Sequence, residues 1–322
     1  MTLRIAIDAM GGDNFPSPNI KAALELVNEE SIEIVLVGKK DLLKKNLPDS
    51  FPESISIVHA PEMVDMNESP TAVFRKKKEA SINVAMNLMF NGRVDAVVSA
   101  GNTGAAMASA TFTLGRLQGI TRPAIPILIP GIHGRTVMID AGANVDCKPN
   151  HLLEFAVMGK YYAKLIMGKE DPTIALLNIG EEESKGDNLT VSAYRLLEGN
   201  LEGFIGNVEG HQIITGEQDV VVCDGFIGNV LLKFIEGIVS GLVGMFFDRQ
   251  NERDNEILKQ ISYKFEYDET GGAPLLGVNG VVIISHGKSN SKAIKNAVLL
   301  AKQLIEHDIN RRISMEMEKM VI

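Results

Sequence analysis

Several short β-branched runs in this 322-residue chain end in a polar residue that is followed by a glycine-bearing turn. The five runs end at Asp8, Ser99, Asp140, Asn178 and Asp224. If the runs are parallel neighbours in one sheet, their carboxyl ends lie at the edge where open α/β sheets bind ligands. Each residue taken alone could equally cap a helix or turn the chain. Their repetition predicts one crevice, to which Asp13 and Asn144 in the same turns would contribute.

The segment AGNTGAAMASA, residues 100–110, predicts an anion site. Gly101, Asn102, Thr103 and Gly104 stand where a strand would pass into an alanine-rich helix. Exposed N–H groups at a helix start, together with the helix dipole, attract anions, and small side chains let a phosphate approach the backbone. The alternative is an ordinary Asn or Thr helix cap. The segment HGKSNS, residues 286–291, is a second candidate, with Lys288 beside the last helix.

The sequence lacks the motifs of nucleotide binding and covalent catalysis. It contains no G-x-G-x-x-G, and Val282 stands where a P-loop ending at residues 287–289 would need glycine. It has no G-x-S-x-G, Cys147 has no nearby histidine, and we expect Cys223, which follows three valines, to be buried. No histidine pair has metal-ligand spacing, so we predict no metal and no cofactor. A magnesium site formed by Asp8, Asp13, Asp140 and Asp224 is the alternative.

Two charged segments have an ordinary and a functional interpretation. Lys185 lies in the acidic segment NIGEEESKGDN, residues 178–188, which is either a solvated loop or a lysine-bearing arm that offers charge to an oxyanion. The run FRKKKEAS, residues 74–81, is predicted to open a helix on which Arg75 and Lys78 share one side. That run is either a solvated helix end or a docking patch for an acidic partner.

Composition and apolar patterning define the scaffold. With 32 basic and 41 acidic residues the formal net charge is −9, which disfavours nucleic acid as a partner. Two cysteines in a chain of this length are typical of a reducing cytoplasm. Continuous apolar strands between helical segments predict a mostly parallel, doubly wound α/β sheet covered on both faces. The nine predicted strands are residues 4–8, 33–37, 56–59, 95–99, 125–129, 136–140, 173–178, 219–224 and 281–285.

We predict a single domain over residues 1–322, with a helical hairpin projecting at about 226–267. An apolar stripe on the hairpin includes Leu231, Ile235, Ile238 and Leu242 at helical spacing. Core packing, a dimer interface, an acyl-chain groove or a membrane-facing surface would each explain it.

Eight ordered motifs resemble the PlsX-type phosphate acyltransferases. They are IAIDAMGGDN (5–14), ESPTAVFRKKKEAS (68–81), SAGNTGA (99–105), RPAI (122–125), DAGANVDCKP (140–149), LLNIGEEESKG (176–186), DGFIGNVLLKFIEG (224–237) and GGAPLLGV (271–278). The resemblance implies transfer of a fatty acyl group from acyl carrier protein to inorganic phosphate, giving acyl phosphate for phospholipid synthesis. It also implies a three-layer α/β/α sandwich of the isopropylmalate-dehydrogenase type.

The resemblance further implies a cytoplasmic homodimer, peripheral at the inner face of the cell membrane, that serves a membrane-bound glycerol-phosphate acyltransferase. Phosphate would lie at residues 101–104, and Lys185 would neutralise phosphate charge or stabilise the thioester oxyanion. Asp224 would orient Lys185 or a phosphate hydroxyl, and Asn229 would add a hydrogen bond. Arg75 and Lys78 would meet the acidic carrier protein. A metal-dependent dehydrogenase or phosphotransacetylase-like enzyme of the same fold, and a non-catalytic carrier or membrane scaffold, are the alternatives.

Overall fold

The structure is a computed structural model that describes residues 2–246 and 271–320. It divides into two compact units. The first unit comprises Met1–Leu117 and Tyr267–Asn310, and the second comprises Gln118–Glu266 and Arg311–Ile322. The single domain over residues 1–322 therefore stays a prediction. Of the predicted hairpin, the first helix is described as far as Phe246, and the rest lies outside the described residues.

The first unit contains a six-stranded sheet. Its strand order is β10 (Ala273–Pro274), β11 (Val281–Ile284), β4 (Ala96–Ser99), β1 (Leu3–Asp8), β2 (Ile32–Gly38) and β3 (Ile55–His59). Every neighbouring pair is parallel except β10 with β11. Consecutive residues of β1 and β4 are buried, and because alternate side chains point to opposite faces, both faces must be covered. Helix α1 (Ser17–Glu29) packs on α9 (Ser291–Glu306), and α4 (Ser81–Phe90) packs on α5 (Thr103–Leu114). Members of both pairs contact the sheet.

The strands of this unit are β1 (Leu3–Asp8), β2 (Ile32–Gly38), β3 (Ile55–His59), β4 (Ala96–Ser99), β10 (Ala273–Pro274) and β11 (Val281–Ile284). Its helices are α1 (Ser17–Glu29), α2 (Lys40–Asn46), α3 (Pro70–Lys76), α4 (Ser81–Phe90), α5 (Thr103–Leu114) and α9 (Ser291–Glu306). The final helix α10 (Ile309–Lys319) begins here and lies mostly in the second unit.

The second unit contains a five-stranded sheet in the order β5-β6-β9-β7-β8, parallel except for β5. Its strands are β5 (Pro126–Pro130), β6 (Arg135–Ile139), β7 (Ile174–Asn178), β8 (Phe204–Glu209) and β9 (Val220–Val222). Its helices are α6 (Pro149–Ile166), α7 (Asn188–Asn200) and α8 (Gly225–Phe246). Helix α6 packs on α7 and on the central strands β6 and β9.

The predicted α/β class with mostly parallel strands is confirmed, although the strands lie in two sheets. All nine predicted strands are present, with ends that shift by one or two residues. Strand β8 was not predicted because Gly206, with φ +105°, interrupts its apolar run beside an irregularity in pairing. The prediction that residues 74–81 open one helix is wrong, because α3 ends at Lys76 and α4 begins at Ser81.

Candidate functional site

In the first unit, Asp8 and Ser99 end neighbouring parallel strands and stand opposite each other in register. The Ser99 hydroxyl donates to Asp8 Oδ2 at 2.7 Å, and the N–H of Gly101 donates to Ser99 Oγ at 3.1 Å. A β-carbon added to Gly11 would lie 2.7 Å from the nitrogen of Gly101. The turns after β1 and β4 therefore touch through their backbones, an approach that only glycine allows.

Asp8 links these turns through hydrogen bonds and is not exposed to solvent. Its side chain is buried, and desolvation raises the pKa of its carboxyl, although hydrogen bonds from Ser81 and Ser99 act in the opposite direction. A small pocket lies beside it. The lining residues are Asp8, Met10, Gly11, Val64, Ser81, Ile82, Ser99, Gly101, Asn102 and Ala105.

Asn102 is the N-cap of α5, and its amide group is fully used. Its Oδ1 accepts the N–H of Ala105 at 2.9 Å. Its Nδ2 donates to three backbone carbonyls within the segment 65–68, the shortest at 2.8 Å to Met66. By contrast, the N–H groups of Thr103 and Gly104 form no hydrogen bond within the described residues. The backbone at Thr103 and Gly104, and not the Asn102 side chain, thus offers donors to an anion.

The second anion candidate, residues 286–291, adjoins Asp13. The N–H of Asp13 donates to the carbonyl of Gly287 at 2.7 Å. Asp13 itself is exposed, and a β-carbon on Gly287 would lie 3.0 Å from its carboxylate Oδ1. Lys288 is also exposed, whereas the hydroxyl of Ser289 is buried without a hydrogen-bond partner in the described chain. Carboxylate Asp13 beside this turn would repel an anion there.

In the second unit, three of the predicted polar residues follow neighbouring parallel strands. Asp140 follows β6, Asp224 comes two residues after β9, and Asn178 ends β7. Because β9 lies between β6 and β7, Asp224 belongs to the middle turn of one sheet edge. The five polar turns are thus divided between the two units, and their convergence on one crevice stays a prediction.

Asp140 organises its own turn from a fully buried position. It accepts the backbone N–H groups of Ile125, Gly142, Ala143 and Asn144 at 2.8–3.3 Å. The Asn144 amide also donates to Asp140 at 2.9 Å and to the carbonyl of Pro123 at 2.7 Å. Burial raises the pKa of Asp140 against these hydrogen bonds. The Asp140 carboxylate and the Asn144 Nδ2 group therefore shape the edge through hydrogen bonds within it.

One carboxylate oxygen of Asp224 accepts hydrogen bonds within the protein, and the other is available to a ligand. Its Oδ1 accepts the N–H groups of Phe226 at 2.8 Å and Ile227 at 3.0 Å, which caps α8. Its Oδ2 accepts no hydrogen bond from the described residues. One turn further along α8, Asn229 is exposed, and a β-carbon on Gly142 would lie 3.4 Å from its Oδ1. A half-buried carboxylate and an exposed amide thus share the start of this helix.

Lys185 lies on an anchored loop. Asn178 braces the loop, since its Oδ1 accepts the N–H of Ile179 and its Nδ2 donates to the carbonyl of Lys185, both at 2.9 Å. Asn207 donates to the carbonyl of Glu182 at 2.9 Å. Gly186 makes the final bend at φ +103°, a conformation that favours glycine. The bracing by Asn178 was not predicted, because only the fold brings residue 178 to the far end of the loop.

The Lys185 ammonium forms no ion pair with any described residue, although three glutamates precede it in sequence. One of these, Glu181, instead accepts a hydrogen bond from the Gln212 amide at 2.8 Å. The stem of Lys185 lies over Gly180, where a β-carbon would come 3.0 Å from Lys185 Cγ. The loop thus presents an exposed ammonium group that is not held in an ion pair by the described residues.

Neither cysteine is suited to nucleophilic catalysis. Burial raises the pKa of Cys147 to about 11 and that of the fully buried Cys223 well above its usual value. Since the thiolate is the nucleophile, both thiols are unreactive near neutral pH. In the described part of the chain, no three His, Cys, Asp or Glu side chains are grouped as metal ligands.

The basic side chains of residues 74–81 differ in whether they form contacts within the protein. Lys77 is engaged, with Nζ 2.6 Å from Glu68 Oε1 and 2.9 Å from the carbonyl of Met63. This contact lowers the pKa of Glu68. Arg75, in the last turn of α3, and Lys78, beyond its end, are exposed and form no ion pair among the described residues. They remain available to an acidic partner, although they do not share one helix face.

Among the described residues, the apolar stripe of α8 is not packed in a core. From residue 229 to residue 242 no side chain is buried, and Phe234 is 63% exposed. Within the described residues this is the one helix long and apolar enough to cross a membrane, judged by length and composition alone. A dimer interface, an acyl-chain groove and a membrane-facing surface remain as predictions.

Comparison with known proteins identifies the family. A family model described as "Fatty acid synthesis protein" matches residues 3–312. The protein named phosphate acyltransferase in Desulforamulus reducens is 48% identical over 316 residues, 95% of each chain. This chain belongs to the PlsX-type phosphate acyltransferase family. The resemblance inferred from the eight sequence motifs is thereby confirmed.

Solved structures show how widely the family's fold is shared. A phosphotransacetylase from Streptococcus pyogenes has a TM-score of 0.66 at 20% identity, over 95% of this chain and 94% of that one. A 4-hydroxythreonine-4-phosphate dehydrogenase from Klebsiella pneumoniae has a TM-score of 0.53 at 13% identity, over 94% and 97% of the two chains. At such identities the likeness concerns the fold alone.

Proposed function

We propose that this protein transfers a fatty acyl group from acyl carrier protein to inorganic phosphate, and that the acyl phosphate enters phospholipid synthesis. Family membership over nearly the whole chain supports acyl transfer to phosphate. The observation that carries the proposal is the pair of unbonded N–H groups of Thr103 and Gly104, which open the 12-residue helix α5. They favour a small oxyanion, and the sequence has no nucleotide motif to hold a larger phosphate ligand.

The proposed reaction is a direct displacement. A phosphate oxygen attacks the thioester carbonyl carbon, the carbon–sulfur bond of the resulting tetrahedral intermediate breaks, and the departing thiolate takes a proton. No protein side chain becomes acylated. The high pKa of Cys147 and the burial of Cys223 support this route, because neither offers a thiolate near neutral pH.

Three residues of the second unit would act on this reaction. The exposed ammonium of Lys185 would neutralise phosphate charge or the developing oxyanion. The available oxygen of Asp224 would orient Lys185 or accept a phosphate hydroxyl, and the exposed amide of Asn229 would donate a hydrogen bond. Asp8, Asp13, Asp140 and Asn144 would contribute by shaping the turns around the substrates.

Partners and location follow as part of the same proposal. Arg75 and Lys78 would bind the acidic surface of the carrier protein. The exposed apolar stripe of α8 would serve a homodimer contact or peripheral attachment at the inner face of the cell membrane. The product would pass to a membrane-bound glycerol-phosphate acyltransferase. The protein would otherwise be cytoplasmic.

The test mixes purified protein, acyl carrier thioester and inorganic phosphate, and traps acyl phosphate as a hydroxamate with hydroxylamine. We expect hydroxamate that depends on phosphate, together with a protein whose intact mass carries no acyl group. Thioester binding without phosphate consumption would favour a scaffold. A nicotinamide absorbance change with a hydroxy acid would favour a dehydrogenase. An acylated protein intermediate would contradict direct displacement.

A further inference from the structure

A surface groove separates the first turn of α6 from the second turn of α7 in the second unit. The residues that line it are Lys148, Pro149, Asn150, Ser192, Arg195 and Leu196. No acidic side chain is among them. Lys148 and Arg195 are exposed, and neither forms an ion pair with a described residue. On a protein whose formal net charge is −9, this groove brings together two exposed cations, and its lining holds no carboxylate.

The groove lies at the end of the sheet that carries the candidate catalytic residues. Helix α6 begins shortly after the turn organised by Asp140, and α7 begins three residues after Lys185. Cys147, directly before Lys148, receives a backbone hydrogen bond from Gly225, the residue after Asp224. The α7 rim thus follows directly on the loop that holds Lys185, and the α6 rim is linked through Cys147 to the residue after Asp224.

We propose that this groove binds the phosphodiester of the phosphopantetheine arm that carries the acyl thioester on the carrier protein. The inference rests on the proposed function and assigns Lys148 and Arg195 as residues that position the acyl donor. Such an arm has one anionic group separated from the reacting thioester by a long, mostly uncharged chain. A cationic groove beside the reaction edge matches that distribution of charge.

The chemistry of the lining residues fits this occupant. The Arg195 guanidinium can donate two parallel hydrogen bonds to a phosphodiester, and Lys148 adds a point charge. The N–H of Asn150, at the start of the 18-residue helix α6, makes no hydrogen bond within the described residues. Pro149 and Leu196 give apolar surface suited to the gem-dimethyl carbon of the pantoyl group.

The experiment compares three octanoyl donors: octanoyl-carrier protein, octanoyl-phosphopantetheine and octanoyl-pantetheine. The variants are Lys148→Glu, Arg195→Glu and their combination. Lys44→Glu is the charge-matched control for each single variant, and Lys44→Glu with Lys21→Glu is the control for the double variant. Both lysines are exposed and form no ion pair in the described chain. We expect the double variant to raise KM by about tenfold or more for the two phosphate-bearing donors. KM for octanoyl-pantetheine, KM for inorganic phosphate and kcat should stay within about twofold of wild type.

Several outcomes would overturn the inference. Unchanged KM for octanoyl-phosphopantetheine in an active double variant would do so, as would an equal rise with octanoyl-pantetheine. A rise in KM for inorganic phosphate would assign the groove to the acceptor. If wild-type protein forms no acyl phosphate, the proposed function fails by itself. Calorimetry then still tests the groove, because equal affinity for phosphopantetheine and pantetheine would refute it.

Discussion

Gly228 in the first turn of α8 lies against the backbone carbonyl of Asp140. A β-carbon added at residue 228 would fall far inside van der Waals contact with that oxygen. Gly225 approaches the same turn, because a β-carbon there would meet the carbonyl of Asn144. Two glycines therefore let the helix that begins after Asp224 pack on the turn that Asp140 organises, and they fix the position of the candidate catalytic carboxylate.

Gly228→Ala should destabilise the second unit by about 2–3 kcal/mol, because neither the helix nor the Asp140 turn can move without breaking buried hydrogen bonds. The matched control is Gly237→Ala, since a β-carbon at Gly237 meets nothing within 4 Å. That change should be neutral or stabilise the helix by about 0.5–1 kcal/mol. Urea denaturation followed by circular dichroism measures both. Equal stabilities for the two variants would contradict the close approach.

Lys185→Ala and Asp224→Asn should each lower kcat/KM by roughly 10²-fold or more, because each removes charge that acts in the transition state. Asn at residue 224 keeps an oxygen that can cap α8, so the loss would not come from helix fraying. Lys44→Ala is the control for removing an exposed lysine. Hydroxamate formation measures the rates. A loss below about fivefold with intact folding would remove the residue from its proposed role.

Thr103→Pro should raise KM for inorganic phosphate by about tenfold, the size expected from one charge-assisted hydrogen bond. Proline fits the first position of a helix, and Asn102 before it has φ −60° and ψ 112°, which a following proline tolerates. The substitution therefore removes one N–H donor without breaking α5. Thr103→Ala keeps that donor and should retain the wild-type KM. Identical KM values for both variants would argue against phosphate at this helix start.

The thiol of Cys147 should react with iodoacetamide only at alkaline pH. Its pKa is raised to about 11, so the reactive thiolate is about 10⁻⁴ of the total at pH 7. Because a raised thiol pKa means less thiolate at any lower pH, alkylation should accelerate about tenfold per pH unit from about pH 7 to pH 9.5. Cys147→Ser isolates the contribution of Cys223. A rate that levels near pH 8.5 would show an unperturbed thiol.

Replacing Arg75 and Lys78 by Glu should raise KM for acyl carrier protein, because the two positive charges that attract an acidic surface are lost. The same loss should make KM less dependent on salt concentration. KM for octanoyl-phosphopantetheine should not change, which separates this surface from the groove at Lys148 and Arg195. The matched control is Lys44→Glu with Lys21→Glu. An unchanged KM for the carrier at low salt would refute docking at Arg75 and Lys78.

The sequence predicted the strands well and the basic run poorly, for different reasons. Strands such as β9 are apolar at every position. This local pattern predicts a buried strand without knowledge of the elements that pack on it. Residues 74–81 also have helical spacing, yet Lys77 turns back to Glu68 and Met63 and the helix ends. That choice depends on a segment brought close by the fold, and periodicity cannot report it.

The candidate site shows the same division. The polar residues at the ends of strands were recognisable from their types and positions, because catalytic and binding groups follow parallel strands. The sequence did not show whether each polar side chain is available to a ligand or already hydrogen-bonded within the protein. The Asn102 amide forms hydrogen bonds with the segment 65–68 and with Ala105, and both oxygens of Asp140 accept backbone N–H groups. Lys185, in contrast, is exposed and forms no ion pair with the three glutamates that precede it.

The amino-acid sequence by itself determined the α/β class, the order of the strands along the chain and the family, because these depend on apolar runs and local motifs. Tertiary structure decided which polar groups remain available, how the strands divide between two sheets, and that Lys148 and Arg195 line one groove. Hydrogen-bond partners far apart in sequence satisfy or expose a side chain only after the chain has folded, and no spacing rule encodes that outcome.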